Sequence, residues 1–273
     1  MSTKHTSPCI ELVVFDWAGT TVDFGCFAPV SAFMAAFADR GVELTPAEVR
    51  GPMGLHKRDH IRTLLKDESI AARWLDKTGS PWTEADVEDL YERFTPFQVV
   101  EAGKHTDLIP GLLETQSWLK SNGIKIGSTT GYPRSVMEPV IAAAARQGYQ
   151  PDHLICADEV PAARPAPWMI FGNMEQLGVY PPAHVLKVGD TVPDIEEGLN
   201  AGTWSVGLSV TGSEIGLTID EWESLSADDQ NRRTEAVSDK LSSAGAHEVI
   251  TSVQELPGLI EQINQKLAAG ERP

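Results

Sequence analysis

Ile10-Glu-Leu-Val-Val-Phe15 is a nearly continuous, β-branched apolar run that stops at Asp16 and gives way at once to Trp-Ala-Gly-Thr-Thr. A strand apolar at almost every position suits burial on both faces, as in a parallel sheet covered by helices. Five more short segments follow, Ile124–Ser128, His153–Cys156, His184–Val188, Trp204–Val210 and His247–Ile250, with helical patterning between most of them. Strand alternating with helix predicts an α/β fold, a Rossmann-like, doubly wound parallel sheet. In such sheets ligands bind beyond the carboxyl ends of the strands, so the residues just after each segment carry the functional reading.

The alternation lapses between Phe24 and Gly103, where only helical patterns occur. Pro29–Asp39 carries Val30, Phe33, Met34 and Phe37 on one face, and Thr45-Pro-Ala-Glu48 is a capping box with proline at the first helical position. A third helix is expected from His56 to about Lys66, and a fourth after Thr83, with Val87, Leu90, Tyr91 and Phe94 at helical spacing. The chain therefore divides into a Rossmann-like catalytic core, 1–23 and 104–273, and an inserted α-helical cap domain, 24–103. Pro110-Gly-Leu-Leu re-enters the core through a helix ending near Gly123, and the acidic stretch Asp220–Glu235 reads as a solvated helical excursion.

Composition narrows the function. Among 273 residues, 39 Asp and Glu outweigh 22 Lys and Arg for a net charge of −17, which disfavours nucleic acid as a partner. No apolar stretch approaches membrane-spanning length, and the first apolar run is too short and acidic for a signal peptide. Cys9, Cys26 and Cys156 form no Cys-x-x-Cys pair, which fits a reducing cytoplasm. A small-molecule enzyme is the expectation.

Asp16 is placed to attack phosphorus, beside a tight turn that Gly19 permits. Ser128-Thr-Thr-Gly-Tyr132 offers hydroxyl and backbone N–H groups, Thr130 and Gly131 among them, to phosphate oxygens. Arg164, in Arg-Pro-Ala-Pro-Trp168, supplies a cation between nucleophile and phosphoryl group. Gly189-Asp190-Thr-Val-Pro-Asp194 adds two carboxylates able to bind Mg²⁺ with Asp16. Asp194 is favoured as a group orienting metal-bound water, and Thr20 and Thr21 as turn residues satisfying local backbone. Asp23 reads as a hinge or cap residue.

These four segments resemble the haloacid dehalogenase superfamily of aspartate-nucleophile phosphotransferases. Its usual Asp-x-Asp has Ala18 in place of the second aspartate here, which removes the proton donor an alcohol leaving group needs. Asp16-Trp-Ala-Gly-Thr-Thr-Val-Asp23, Gly25-Cys-Phe-Ala-Pro29 and Pro52-Met-Gly-Leu-His-Lys-Arg-Asp-His60 resemble the phosphonoacetaldehyde hydrolase family. So do Gly127–Tyr132, Pro161–Pro165 and Lys187–Thr191. The resemblance implies hydrolysis of a small-molecule phosphonate at its carbon–phosphorus bond, with Lys57 forming a Schiff base and Asp16 taking the phosphoryl group. It also implies Mg²⁺ on Asp16, Asp190 and the Ala18 carbonyl, and a homodimer through the cap helices, for which the apolar face at Phe33 and Phe37 is available. Met53, Cys26 and Tyr132 are expected to pack around the substrate. His60, three residues after Lys57, is open between a proton-carrying role shared with His56 and simple packing. The alternative is a phosphate-ester phosphatase or phosphomutase of the same superfamily, and a non-catalytic phosphate-ligand sensor is a further rival.

Overall fold

The computed structural model describes residues 9–53 and 57–273. Its sheet contains β1 (Leu12–Phe15), β2 (Lys125–Thr130), β3 (His153–Cys156), β4 (Val185–Gly189), β5 (Trp204–Leu208) and β6 (Glu248–Ile250). All pairings are parallel and the order is β3-β2-β1-β4-β5-β6. Strand order reverses direction at β1, so the crevice between β1 and β4 is the switch point where such sheets hold ligands. β1 explains its own sequence. Val13 and Phe15 face one hydrophobic cluster with Ile126, Leu186 and Val188, while Leu12 and Val14 face another with Ile170 and Met174.

Between β1 and β2 come α1 (Phe27–Ala38), α2 (Pro46–Arg50), α3 (Lys57–Lys66), α4 (Glu68–Thr78), α5 (Glu84–Lys104) and α6 (Leu112–Ser121). The rest of the chain adds α7 (Arg134–Arg146), α8 (Trp168–Leu177), α9 (Val192–Ala201), α10 (Ile219–Ser224), α11 (Ala227–Ser243) and α12 (Leu256–Ala268). The first five helices gather round a cluster of their own that includes Phe33, Phe37, Ile61, Trp74, Leu90 and Phe94. Helix α5 belongs to both units, for Val87, Leu90 and Phe94 join the helical cluster while Ala102 joins the sheet's. No helix among the described residues is long and apolar enough to cross a membrane.

One sequence expectation changes here, one helix is added to those expected, and one expected residue is left without a described position. Phe33 and Phe37 have no exposed surface and fill the insert's interior, so they are not available as a dimer face. Helix α4, capped by the Asp67 carboxylate, has too sparse an apolar pattern, Ile70 and Trp74, to stand out in the sequence. His56, the expected start of the third helix, lies outside the described residues.

The entry to the insert is built from unusual backbone. Asp23 and Cys26 take φ of 60° and 54°, and Gly25 at 82° leaves no room for a Cβ, which would lie 2.3 Å from the Leu217 carbonyl oxygen. The buried Asp23 carboxylate accepts hydrogen bonds from the Phe27 and Ala28 amides at 2.8 and 2.9 Å, closing the start of α1. Its other neighbour is His105, at the far end of α5, with Nδ1 at 3.7 Å. Asp23→Ala is expected to cost about 1–2 kcal/mol through loss of this cap, with Asp23→Asn milder because asparagine tolerates the left-handed conformation and keeps one acceptor. Urea denaturation of the two variants checks the order; equal midpoints would contradict it.

Candidate active site

Asp16 emerges from β1 with its amide bonded to the Val188 carbonyl at 2.9 Å. The chain then winds tightly, the Thr20, Thr21 and Val22 amides all donating to the Trp17 carbonyl. Gly19, at φ 85°, is required there because a Cβ would come within 2.7 Å of Asp190 Oδ2. Asp190 follows β4 next door. Thr20 Oγ1 lies 3.2 Å from Asp190 Oδ1, so it braces that carboxylate and is more than the local turn residue expected. Thr21 does bond local backbone, donating toward the Asp16 and Trp17 carbonyls. The Ser213 amide donates to Asp190 Oδ2 at 3.2 Å.

Arg164 joins the carboxylates. Its Nη2 is 2.7 Å from Asp16 Oδ1, Nη1 is 2.8 Å from Asp194 Oδ1, and Nε is 3.0 Å from Glu197 Oε2. Beneath it the fully buried Lys187 Nζ lies 2.9 Å from Asp194, 3.2 Å from Glu197 and 2.8 Å from Thr129 Oγ1. Thr129, Lys187 and Glu197 are the members that sequence reasoning missed. A lysine in the middle of the apolar strand Val-Leu-Lys-Val-Gly is the available signal, and Glu197 lies one helical turn after Asp194 on α9.

The charges are unequal. Asp16, Asp190, Asp194 and Glu197 face only Arg164 and Lys187, which leaves two negative charges over. Burial acts to raise the Asp194 carboxyl, but Arg164 and Lys187 outweigh it and hold that group below its ordinary value. Asp190 has no cation against it, so burial, with the charges of Asp16 and Asp194, pushes it well up. Burial likewise lifts Asp16 to about 6 despite the pull of Arg164. Oxygens of Asp16, Asp190 and Asp194 lie within 4.8 Å of one another. Because Asp194 is committed to Arg164, Lys187 and the Thr191 hydroxyl, Asp16 and Asp190 are the two left to meet a cation. Hard oxygen donors and a doubly negative deficit fit Mg²⁺.

A cavity of about 230 Å³ opens above these groups. Its walls include Asp16, Ala18, Thr130, Gly131, Tyr132, Arg164, Asp190 and Asp194 from the sheet's edge, and Cys26, Met53 and Lys57 from the helical insert. Lys57 Nζ stands 5.5 and 5.9 Å from the Phe33 and Phe94 ring centroids, at the outer limit of useful cation–π attraction, and no carboxylate among the described residues pairs with it. Burial accordingly lowers its pKa below the ordinary lysine value, Cys26 acting weakly the other way. Burial raises the Cys26 thiol and the Tyr132 phenol well up, keeping both protonated, and the Tyr132 hydroxyl is buried without a partner. His60 is not on the cavity. Helical spacing does put it on Lys57's face, but that face turns inward, and the ring stacks on Phe33 at 4.0 Å with its pKa pushed down to about 3 by burial and by Lys57. A larger hollow of about 540 Å³ on the insert shares Met53 with this cavity, but its acidic residues Glu48 and Asp67 are occupied in capping α2 and α4.

The family model for haloacid dehalogenase-like hydrolases matches residues 10–202. The phosphonoacetaldehyde hydrolase of Syntrophobacter fumaroxidans is 48% identical over 269 residues, 98% of this chain and 97% of that protein. That of Salmonella newport is 47% identical, covering 97% of this chain and 99% of its own. The crystal structure of a phosphonoacetaldehyde hydrolase-like protein from Oleispira antarctica superposes with a TM-score of 0.90 at 42% identity, covering 100% of this chain and 99% of the other.

Lys187→Met is expected to destabilise the fold by about 3–5 kcal/mol, because it leaves Asp194 and Glu197 to share Arg164 alone in a dry site. Lys187→Met with Glu197→Gln should recover part of the loss by removing the stranded charge. Denaturation midpoints of the single and double variants decide it; a single variant as stable as wild type would show the network carries no such burden.

Proposed function

This chain belongs to the phosphonoacetaldehyde hydrolase family of the haloacid dehalogenase-like hydrolases, and we propose that it hydrolyses the carbon–phosphorus bond of phosphonoacetaldehyde through a Lys57 imine and an Asp16 aspartyl-phosphate. The observation that carries this reading is the meeting, at one small cavity, of an amine from the insert and a carboxylate from the sheet. A plain phosphatase has no use for the amine. It would also need a proton donor where this chain has Ala18.

The chemistry requires both groups. Lys57 Nζ, whose charged form burial disfavours, adds as the free amine to the aldehyde carbon, and loss of water gives an imine. Asp16 then attacks phosphorus while the carbon–phosphorus pair moves into the protonated imine, so the leaving fragment is an enamine in place of a bare carbanion. Arg164 holds the Asp16 oxygen and faces the phosphonate oxygens, and Thr130 with the Gly131 backbone cradles them from β2. Water cleaves the aspartyl-phosphate to phosphate; the enamine takes a proton on carbon, and imine hydrolysis frees acetaldehyde and Lys57. Asp16, Asp190 and the Ala18 carbonyl would hold Mg²⁺, which supplies charge neutralisation where the phosphoryl group arrives. Asp194 fixes Arg164 and Lys187 and stands beside Asp16 and Asp190, where it would also orient metal-bound water. Met53, Cys26 and Tyr132 enclose the two-carbon fragment, and the Tyr132 hydroxyl is free to donate to substrate.

The functional division is a catalytic core of 1–23 and 104–273 under a cap of 24–103. A homodimer in the cytoplasm belongs to the same reading, with contact through cap surface other than the buried Phe33 and Phe37.

Borohydride added with acetaldehyde or phosphonoacetaldehyde should inactivate the enzyme and label the peptide bearing Lys57. The trapping rate should climb with pH as the ammonium loses its proton, levelling off below the 10.5 of an ordinary lysine. Lys57→Arg should neither trap nor turn over, since a guanidinium stays protonated. Labelling elsewhere, or turnover in Lys57→Arg, would remove the imine from the reaction.

Chelation of Mg²⁺ should stop phosphate release, reversibly, while imine trapping by acetaldehyde persists, because Lys57 stands apart from the carboxylates. Full phosphate release from a verified metal-free preparation would exclude the ion.

A further inference from the structure

Arg50 ends α2, on the insert, yet its Nη1 donates a hydrogen bond to the Ser213 carbonyl at 3.2 Å, across the boundary in the loop that follows β5. Apart from the Asp23 cap on α1 and pairs within α5 itself, this is the one side-chain hydrogen bond between the insert and the sheet domain among the described residues. The site is shaped for it. Gly216, at φ 62°, would place a Cβ 2.7 Å from Arg50 Nε, and the guanidinium lies 5.0 Å from the Phe27 ring centroid at the start of α1.

The loop it grips is the one that organises the catalytic edge. Ser213 lines the cavity and its amide donates to Asp190, Thr211 Oγ1 bonds the Gly19 carbonyl, and the Thr211 carbonyl accepts the Gly25 amide at the entry to the insert. One short segment therefore touches the Asp16 turn, Asp190, the hinge and, through Arg50, the cap.

We propose that Arg50 is a positioning residue that clasps the cap to this loop, fixing Lys57 over Asp16 while the same loop holds Asp190. The inference rests on the two-group mechanism above, in which an imine formed on the cap must present its phosphorus in line to a carboxylate on the core. Alignment of that kind is where small displacements cost most. Arg50 does not line the cavity, so its effect reaches the substrate only through Ser213 and the cap's position.

The test compares Arg50→Met and Arg50→Lys with wild type by three measurements: phosphate release, borohydride trapping with acetaldehyde, and amide hydrogen exchange across residues 211–217. Losing a hydrogen bond from a charged donor should lower phosphate release in Arg50→Met about tenfold or more. Trapping, which needs Lys57 alone, should be unchanged, and exchange in the loop should quicken. Arg50→Lys should regain part of the turnover, because an ammonium can still donate to the Ser213 carbonyl. Unchanged turnover and exchange in Arg50→Met would overturn the clasp, as would a parallel loss of turnover, trapping and thermal stability, which marks a merely structural arginine. Should wild type itself form no imine, the substrate reading fails, and the exchange comparison still decides for or against the clasp.

Discussion

The contact between Arg164 and Asp16 at 2.7 Å is the constraint on which the site depends. A guanidinium whose side chain is only 11% exposed is tolerable only if its donors are met, and Asp194, Glu197 and Thr129 meet them. Those groups in turn require Lys187, which has no route to solvent from the middle of β4. The result is a charge lattice spread over β1, β2, β4 and α9, with a net deficit of positive charge at its open end. Reactivity is concentrated at Asp16 and Asp190 because the other carboxylates are already spoken for.

A second constraint separates the two chemistries. Asp16 works in a strongly polar field, whereas Lys57 is supported by Phe33 and Phe94, with a neutral His60 behind them. An amine that must shed its proton is best kept away from carboxylates, and a carboxylate that must stay ionised is best kept beside cations. Placing one on an apolar helical insert and the other at the sheet's edge lets each environment be tuned without spoiling the other.

The parallel sheet and the residues at its carboxyl edge are legible in the sequence because each lies at or just past the end of a strand segment: Asp16 directly after Phe15, Thr130 at the end of the segment that holds Ile126, Asp190 just after Val188 and Gly189. Their meeting at a single cavity follows from strand order. Lys187, Thr129 and Glu197 are harder to see, since their contacts depend on which strands become neighbours and which face of α9 turns inward. His60 shows the limit of helical spacing, which fixes a face but not what the face meets. Helix α4 shows another, for Ile70 and Trp74 are too few to set a period. Arg50 ends a five-residue helix like any exposed cation, and nothing near it in the chain points to Ser213.

Helix α5 starts among the residues that fill the insert and ends against the sheet's own cluster, with no break between. Unfolding of either unit strips one end of this helix of its packing, so the two separate interiors share a structural element. The same continuity bears on inheritance. A cap exchanged between relatives cannot be cut cleanly at the second crossing, because any junction there divides a helix whose halves must satisfy different cores, and the graft has to bring all of α5 together with the surface of α7 that receives it.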